Sequence, residues 1–193
     1  MKSYKLLEKV IKSFLLEAKT FSNARTENLN LHQIPTANGL RVILYKTIPK
    51  NGYKDFEIYG TISLSDQRRG CSSWRVASVA SERGYGALMY DIGMSLVAPD
   101  YIRADDLIRP MALSIWKGIA GPHSSKYDVV SYNYEDEENE DFCYTALKPP
   151  IKARIKQPLD VELLADHTLN QGEYQEISKL GFDYFGKRYR ETK

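Results

Sequence analysis

Cysteine is scarce in this chain. Cys71 and Cys143 are the only two in 193 residues, and they form neither a framework nor a CxxC pair. Such usage suits a reducing interior. Histidine is nearly as scarce: His32, His123 and His167 stand far apart with no ligand spacing, so no metal centre is expected. Long apolar runs are missing too, and nothing approaches the roughly 20 residues of a membrane span. The N-terminal stretch MKSYKLLEKVIKSFLLEAK carries Glu8 and Glu17 and lacks the continuous apolar centre of a secretory signal. Together these absences argue against a disulfide scaffold, a metalloenzyme and a membrane protein, and they point to the cytoplasm.

Charge is present but uneven. Net charge is +2, yet the run Glu135 to Asp141 (EDEENED) holds six acidic residues and no basic one. Outside it, 27 basic residues face 19 acidic ones. That excess permits contact with a polyanion, but no Lys/Arg stripe or base-reading motif accompanies it, which argues against nucleic-acid binding. The acidic run lacks the alternating Asp/Asn and central Gly of a Ca²⁺ loop. It reads as a solvated loop able to dock on a basic partner.

What is there in quantity is periodic apolar sequence. Leu6, Leu7, Val10, Ile11, Phe14 and Leu15 recur at three- and four-residue spacing, predicting an amphipathic helix over residues 1–20. This helix is read as packing on its own domain or on a partner, with no membrane role. The polar segment FSNARTENLNLHQIPTANG reads as a loop ending in an Asn-Gly turn. Leu40–Ile48, Asp55–Ser65 and Trp74–Ser81 read as strands, the first two joined at Asn51-Gly52. A helix buried on more than one side runs from the glycines at 84 and 86 to about Val97. A second begins at Pro110, which suits a first helical position, and stops at Gly121-Pro122. A strand at Tyr127–Tyr134, a short one at Phe142–Leu147 and helical patterns over 161–169 and 173–189 complete the chain. Residues 21–193 are expected to form one α+β domain with a helical extension from about 158.

Residues 76–96, VASVASERGYGALMYDIGMSL, carry the functional question. Gly84 and Gly86 stand where a strand hands over to a helix. They serve either a tight turn, which needs residues tolerant of positive φ, or an anion held by backbone amides at the helix N-terminus. A strand ending in such a turn resembles the acetyl-coenzyme A site of the GCN5-related N-acetyltransferase (GNAT) fold. In that family the pattern is Arg or Gln, two residues, Gly, one residue, Gly or Ala. Here Gly84 and Gly86 match, Ser81 replaces the leading Arg or Gln, and Arg83 stands two positions later.

The chain is also similar, over roughly residues 70–185, to a family of GNAT-like proteins encoded by tailed bacteriophages. Trp74-Arg75-Val76, Gly84 to Met94, an Asp at 105 or 106, Pro110, Ala112, Trp116 and Tyr127-Asp128-Val129 carry that resemblance. So does the late helix from Leu169-Asn170 through Tyr174 to Leu180, whereas Arg109 stands where that family usually has Ser. Leu15-Leu16-Glu17-Ala18 also resembles phage head-protease sites, although the end of an amphipathic helix is the better reading of these residues.

The resemblance implies a mixed, mostly antiparallel sheet flanked by helices, with acetyl-CoA as cofactor. It places Val76, Ser78, Arg83, Gly84, Tyr85, Gly86 and Ala87 at the cofactor, amides of 83–87 on the pyrophosphate and the strand along the pantetheine. Tyr85 either shields the pyrophosphate or packs into the core. The strand WRVASVAS lacks the carboxylate that family members use as a base, so no catalytic residue is assigned; Ser78 and Ser81 are its only neutral polar side chains. Cys71 follows Arg68-Arg69-Gly70 but has no evident partner base. Two functions follow. One is acetyl transfer from acetyl-CoA to an acceptor amine the residues do not name. The other is a non-catalytic GNAT-fold protein in the host cytoplasm or the virion, among phage virion proteins or in contact with the host.

Overall fold

The computed structural model describes residues 18–66, 73–105, 107–121, 125–133 and 143–191. The N-terminal helix, the acidic run, Cys71, His123 and most of the protease-like site fall outside these residues. In chain order the described elements are α1 (Phe21–Thr26), β1 (Leu29–Thr36), β2 (Gly39–Lys50), β3 (Tyr53–Ser65), β4 (Ser73–Ser81) and α2 (Gly86–Leu96). They continue with β5 (Tyr101–Ala104), α3 (Pro110–Ile119), β6 (Tyr127–Ser131), β7 (Ile151–Ile155), a 3₁₀ turn (Val161–Leu164) and α4 (Gln171–Glu191). The fold is α+β, as expected: an open seven-stranded sheet in the order β1-β2-β3-β4-β5-β7-β6.

Every neighbouring pair in that sheet is antiparallel except β4 and β5. A parallel pair needs a crossover long enough to return the chain to the same end. Here α2 is that crossover, and it lies across one face. Its buried residues Leu88, Met89, Tyr90, Ile92 and Met94 meet Val42, Leu44, Ile62 and Leu64 of the sheet. Trp116 of α3, 1% exposed, adds an edge-to-face contact with Tyr90 at 5.7 Å. Such ring pairs contribute roughly 0.5–1.5 kcal/mol beyond burial.

The other face carries α4. Alternate residues of β2 point to opposite sides, so Ile43 and Tyr45 join Phe56, Ile58 and Ile177 in a second core under that helix. Strict alternation would put Phe56 and Ile58 with Ile62 and Leu64. A bulge between Leu44 and Tyr45, opposite Ile58 to Gly60, reverses the parity of β3 and splits it between the two cores. A second irregularity pairs Ser63 with Ser78 but Leu64 with Val76, leaving Ala77 as the extra residue of β4.

Several expectations are corrected. The polar stretch 21–38 contains α1 and β1, which pairs with β2 along its whole length. Tyr101–Ala104 and Ile151–Ile155, not assigned from sequence, are strands. From residue 143 to 147 there is no strand, and the helical pattern over 161–169 is a single 3₁₀ turn. Cys143 is buried and disulfide-bonded, so the support that unlinked thiols lent to a reducing interior falls away. No described helix is long and apolar enough to cross a membrane.

Candidate functional site

The residues between β4 and α2 form a hydrogen-bonded reverse turn. The Tyr85 N–H donates to the Glu82 carbonyl at 3.1 Å, and Gly84 sits at φ +90° in the third position. This is the shape of a type II turn, in which that position needs a residue free of Cβ strain. The conformation of Gly84 is therefore fixed by the turn. Gly86 opens α2 under Ile115 of α3: a Cβ there would lie 2.9 Å from the Ile115 Cδ1 and 3.4 Å from the Ser81 Oγ. No side chain caps the N-terminus of α2, so its first-turn amides are left to other acceptors.

Two distant segments grip this turn. From the N-terminal side, the Lys19 N–H donates to the Gly84 carbonyl at 2.9 Å. The Lys19 ammonium pairs with Glu27 at 2.7 Å, and the Tyr85 hydroxyl donates to the same carboxylate. Those two partners, Lys19 first, hold the Glu27 carboxyl below its usual range. Burial, then Glu27, pushes the Tyr85 phenol upward. From the C-terminal side, Arg188 forms an ion pair with Glu82, and the Tyr184 hydroxyl donates to it at 3.1 Å.

The sequence-predicted site residues divide accordingly. Tyr85 is 4% exposed, edge-on to Tyr59 at 5.3 Å, with its hydroxyl and its amide both engaged. Val76 is buried in the α2 core. Arg83 is exposed, while Gly84, Gly86, Ala87 and Ser78 are half-buried. Ser78 lies opposite Ser63 on the α4 face.

The sheet supplies what the turn alone does not. Pairing of β4 with β5 runs from Ser73–Tyr101 to Val76–Ala104 and then stops. Beyond that point β4 continues to Ser81 on β3 alone, so Ala77–Ser81 has no described strand on its other side. This open edge leads directly into the glycine turn, and Ala77 at its start is exposed. Asp105, the first residue past the last pair, is held by Arg75 of β4 at 3.5 Å. It brings a carboxylate to the parting of the strands although β4 contains none. The family resemblance names an Asp at 105 or 106 but gives it no role, and its position after a four-residue strand hides it from period-2 reading.

Elsewhere an open groove of about 530 Å³, lined by Pro99, Asp128, Arg154, Lys156 and Pro158, lies toward β6 and β7. Among the described residues no three His, Cys, Asp or Glu side chains gather as a metal site. In comparison with known proteins, no family model, no curated protein and no solved structure matches this chain.

Proposed function

We propose that the chain is a GNAT-like acyl-CoA N-acyltransferase of phage type, with acetyl-CoA held along β4 and at the start of α2. The observation that carries this reading is the open edge of Ala77–Ser81 running into the uncapped N-terminus of α2. An extended pantetheine with two amide groups is the ligand class that an unpaired strand edge accommodates. A pyrophosphate is what a helix N-terminus attracts. The residues that would hold the cofactor are the Ala77–Ser81 backbone, the amides of Gly86 and Ala87, and the guanidinium of Arg83. Tyr85 supports the turn from beneath. Bound acetyl-CoA would supply an activated acetyl thioester.

In such a transfer a C–N bond forms between the acceptor nitrogen and the acetyl carbon, the C–S bond breaks, and the thiolate leaves to take up a proton. The acceptor nitrogen must also lose one. In this reading Asp105, at the parting of β4 and β5 and paired with Arg75, is the carboxylate that would receive it.

Thermal denaturation against titrated acetyl-CoA and free CoA tests the reading. Ligand at about 100 times its Kd should add roughly 2.7 kcal/mol, a rise of about 5–11 °C for a domain of this size. No shift at millimolar ligand would mean that the glycines serve the turn alone. The alternative, a non-catalytic component of the virion or of host contact, would then take its place.

A further inference from the structure

The α4 face of the sheet, beside the parting, carries a second arrangement. Arg41 of β2, Ser63 of β3 and Ser78 of β4 lie directly opposite one another on three adjacent strands. The Arg41 Nε–H donates to the Ser63 Oγ at 3.1 Å, which extends the side chain along that row toward β4. The ring of Phe182, from α4, covers the guanidinium at 5.6 Å while remaining 60% exposed. Arg41 is itself only half exposed, and among the described residues no carboxylate pairs with it.

A guanidinium has five donors in a planar fork. Here Ser63 takes the Nε–H and Phe182 covers a face, and neither claims the outer edge with its two nitrogens. That edge is the part that takes a carboxylate in bidentate fashion. A half-buried cation kept against an aromatic ring, with its bidentate edge unclaimed by a described acid, is a recognition element for an anion.

We infer that this row is the acceptor subsite, and that the acceptor is an amine carrying its own carboxylate. The inference rests on the acyltransferase reading for the position of the acetyl group and adds the substrate class. The amine lies at the open edge of β4 by Ser78, and the carboxylate on Arg41. The guanidinium is anchored at Ser63, and Ser63 lies one strand spacing, roughly 5 Å, from Ser78. That is too far for the amine and carboxylate of one α-amino acid. It fits a dipeptide, in which each extended residue spans about 3.3–3.6 Å. Phe182 offers its exposed ring to an apolar or aromatic side chain of such a ligand.

Glycylphenylalanine and its carboxamide, identical except for the terminal charge, are the probes. Calorimetric titration of each is made into the intact protein, with and without saturating CoA, and repeated with Arg41→Gln and Phe182→Ala. The carboxylate should bind at least tenfold more tightly than the carboxamide. Arg41→Gln should abolish that preference while leaving any CoA-induced thermal shift unchanged. Phe182→Ala should weaken both probes together. Equal affinity of the two probes for the unsubstituted protein, or a preference that survives Arg41→Gln, overturns the inference. A CoA shift without discrimination between the probes sinks the acceptor class alone. Discrimination without any CoA shift sinks the acyltransferase reading and leaves a carboxylate-binding site.

Discussion

At the scale of single residues, Gly84 shows how one conformation can serve two masters. Its φ of +90° closes the Glu82–Tyr85 turn, and its carbonyl receives the Lys19 amide. Gly84→Ala keeps every donor and acceptor but places a Cβ in the left-handed region, at a cost of roughly 1–2 kcal/mol. The expected fall in melting temperature is about 2–8 °C, read by calorimetry, and an unchanged melting curve would show that the turn relaxes freely. The sequence pointed to this turn correctly because glycine between a strand and a helix leaves few options. It could not tell what Tyr85 does. That ring is committed to the core by Glu27, a residue 58 positions earlier in a segment read as loop. Arg41 was equally hidden, since its contacts with Ser63 and Phe182 are made only by the sheet and α4.

At the scale of elements, the two bulges decide which residues share a face. Periodicity assumes an unbroken alternation, so it assigns Phe56 and Ile62 to one side, whereas the irregularity in β3 separates them into two cores. The strands that escaped recognition are the short or polar ones. β5 is YIRA, four residues with Arg103 1% exposed and donating to the Ser73 carbonyl at 2.7 Å. β7 is IKARI, with charge at every second position. Long elements with a wide apolar face, such as α2, were legible. α4 was legible as a helix, but not as the cover of a second core. Its close approach depends on Gly181, where a Cβ would lie 2.4 Å from the Ile43 Cδ1. Gly181→Ala should destabilise by about 1–3 kcal/mol through overpacking. Combining it with Ile43→Ala should cost less than the sum of the two single changes in urea unfolding. Strict additivity would mean that α4 shifts to make room.

At the scale of the whole molecule, stability should fall in two stages as the solution is acidified. His32 sits between β1 and α4, its Nε2 3.1 Å from the Ser178 Oγ and its ring 5.0 Å from that of Tyr174. Burial lowers its pKa below the ordinary 6.5. The unfolded chain therefore binds a proton that the folded chain refuses, and stability declines as pH drops below about 6.5. Glu27, held low first by Lys19, and Asp128, held low first by Tyr101 and then by Arg154, act in a lower window. Their contribution is present above the ordinary carboxylate range and is lost as pH falls through it. His32→Gln should flatten the drop in melting temperature between pH 7 and pH 5.5 and leave the loss below pH 4 in place. An unaltered profile would remove His32 from this role.

The grip on the glycine turn also has a meaning in time. A ribosome makes Lys19 and Glu27 before the turn, and Tyr184 and Arg188 only 102 and 106 residues after Glu82. The N-terminal half of the clamp can close on the turn during synthesis, while Glu82 must wait that long for Tyr184 and Arg188. A nascent chain therefore carries the turn half-secured until α4 has been made, and the complete grip is a property that only the later segment confers.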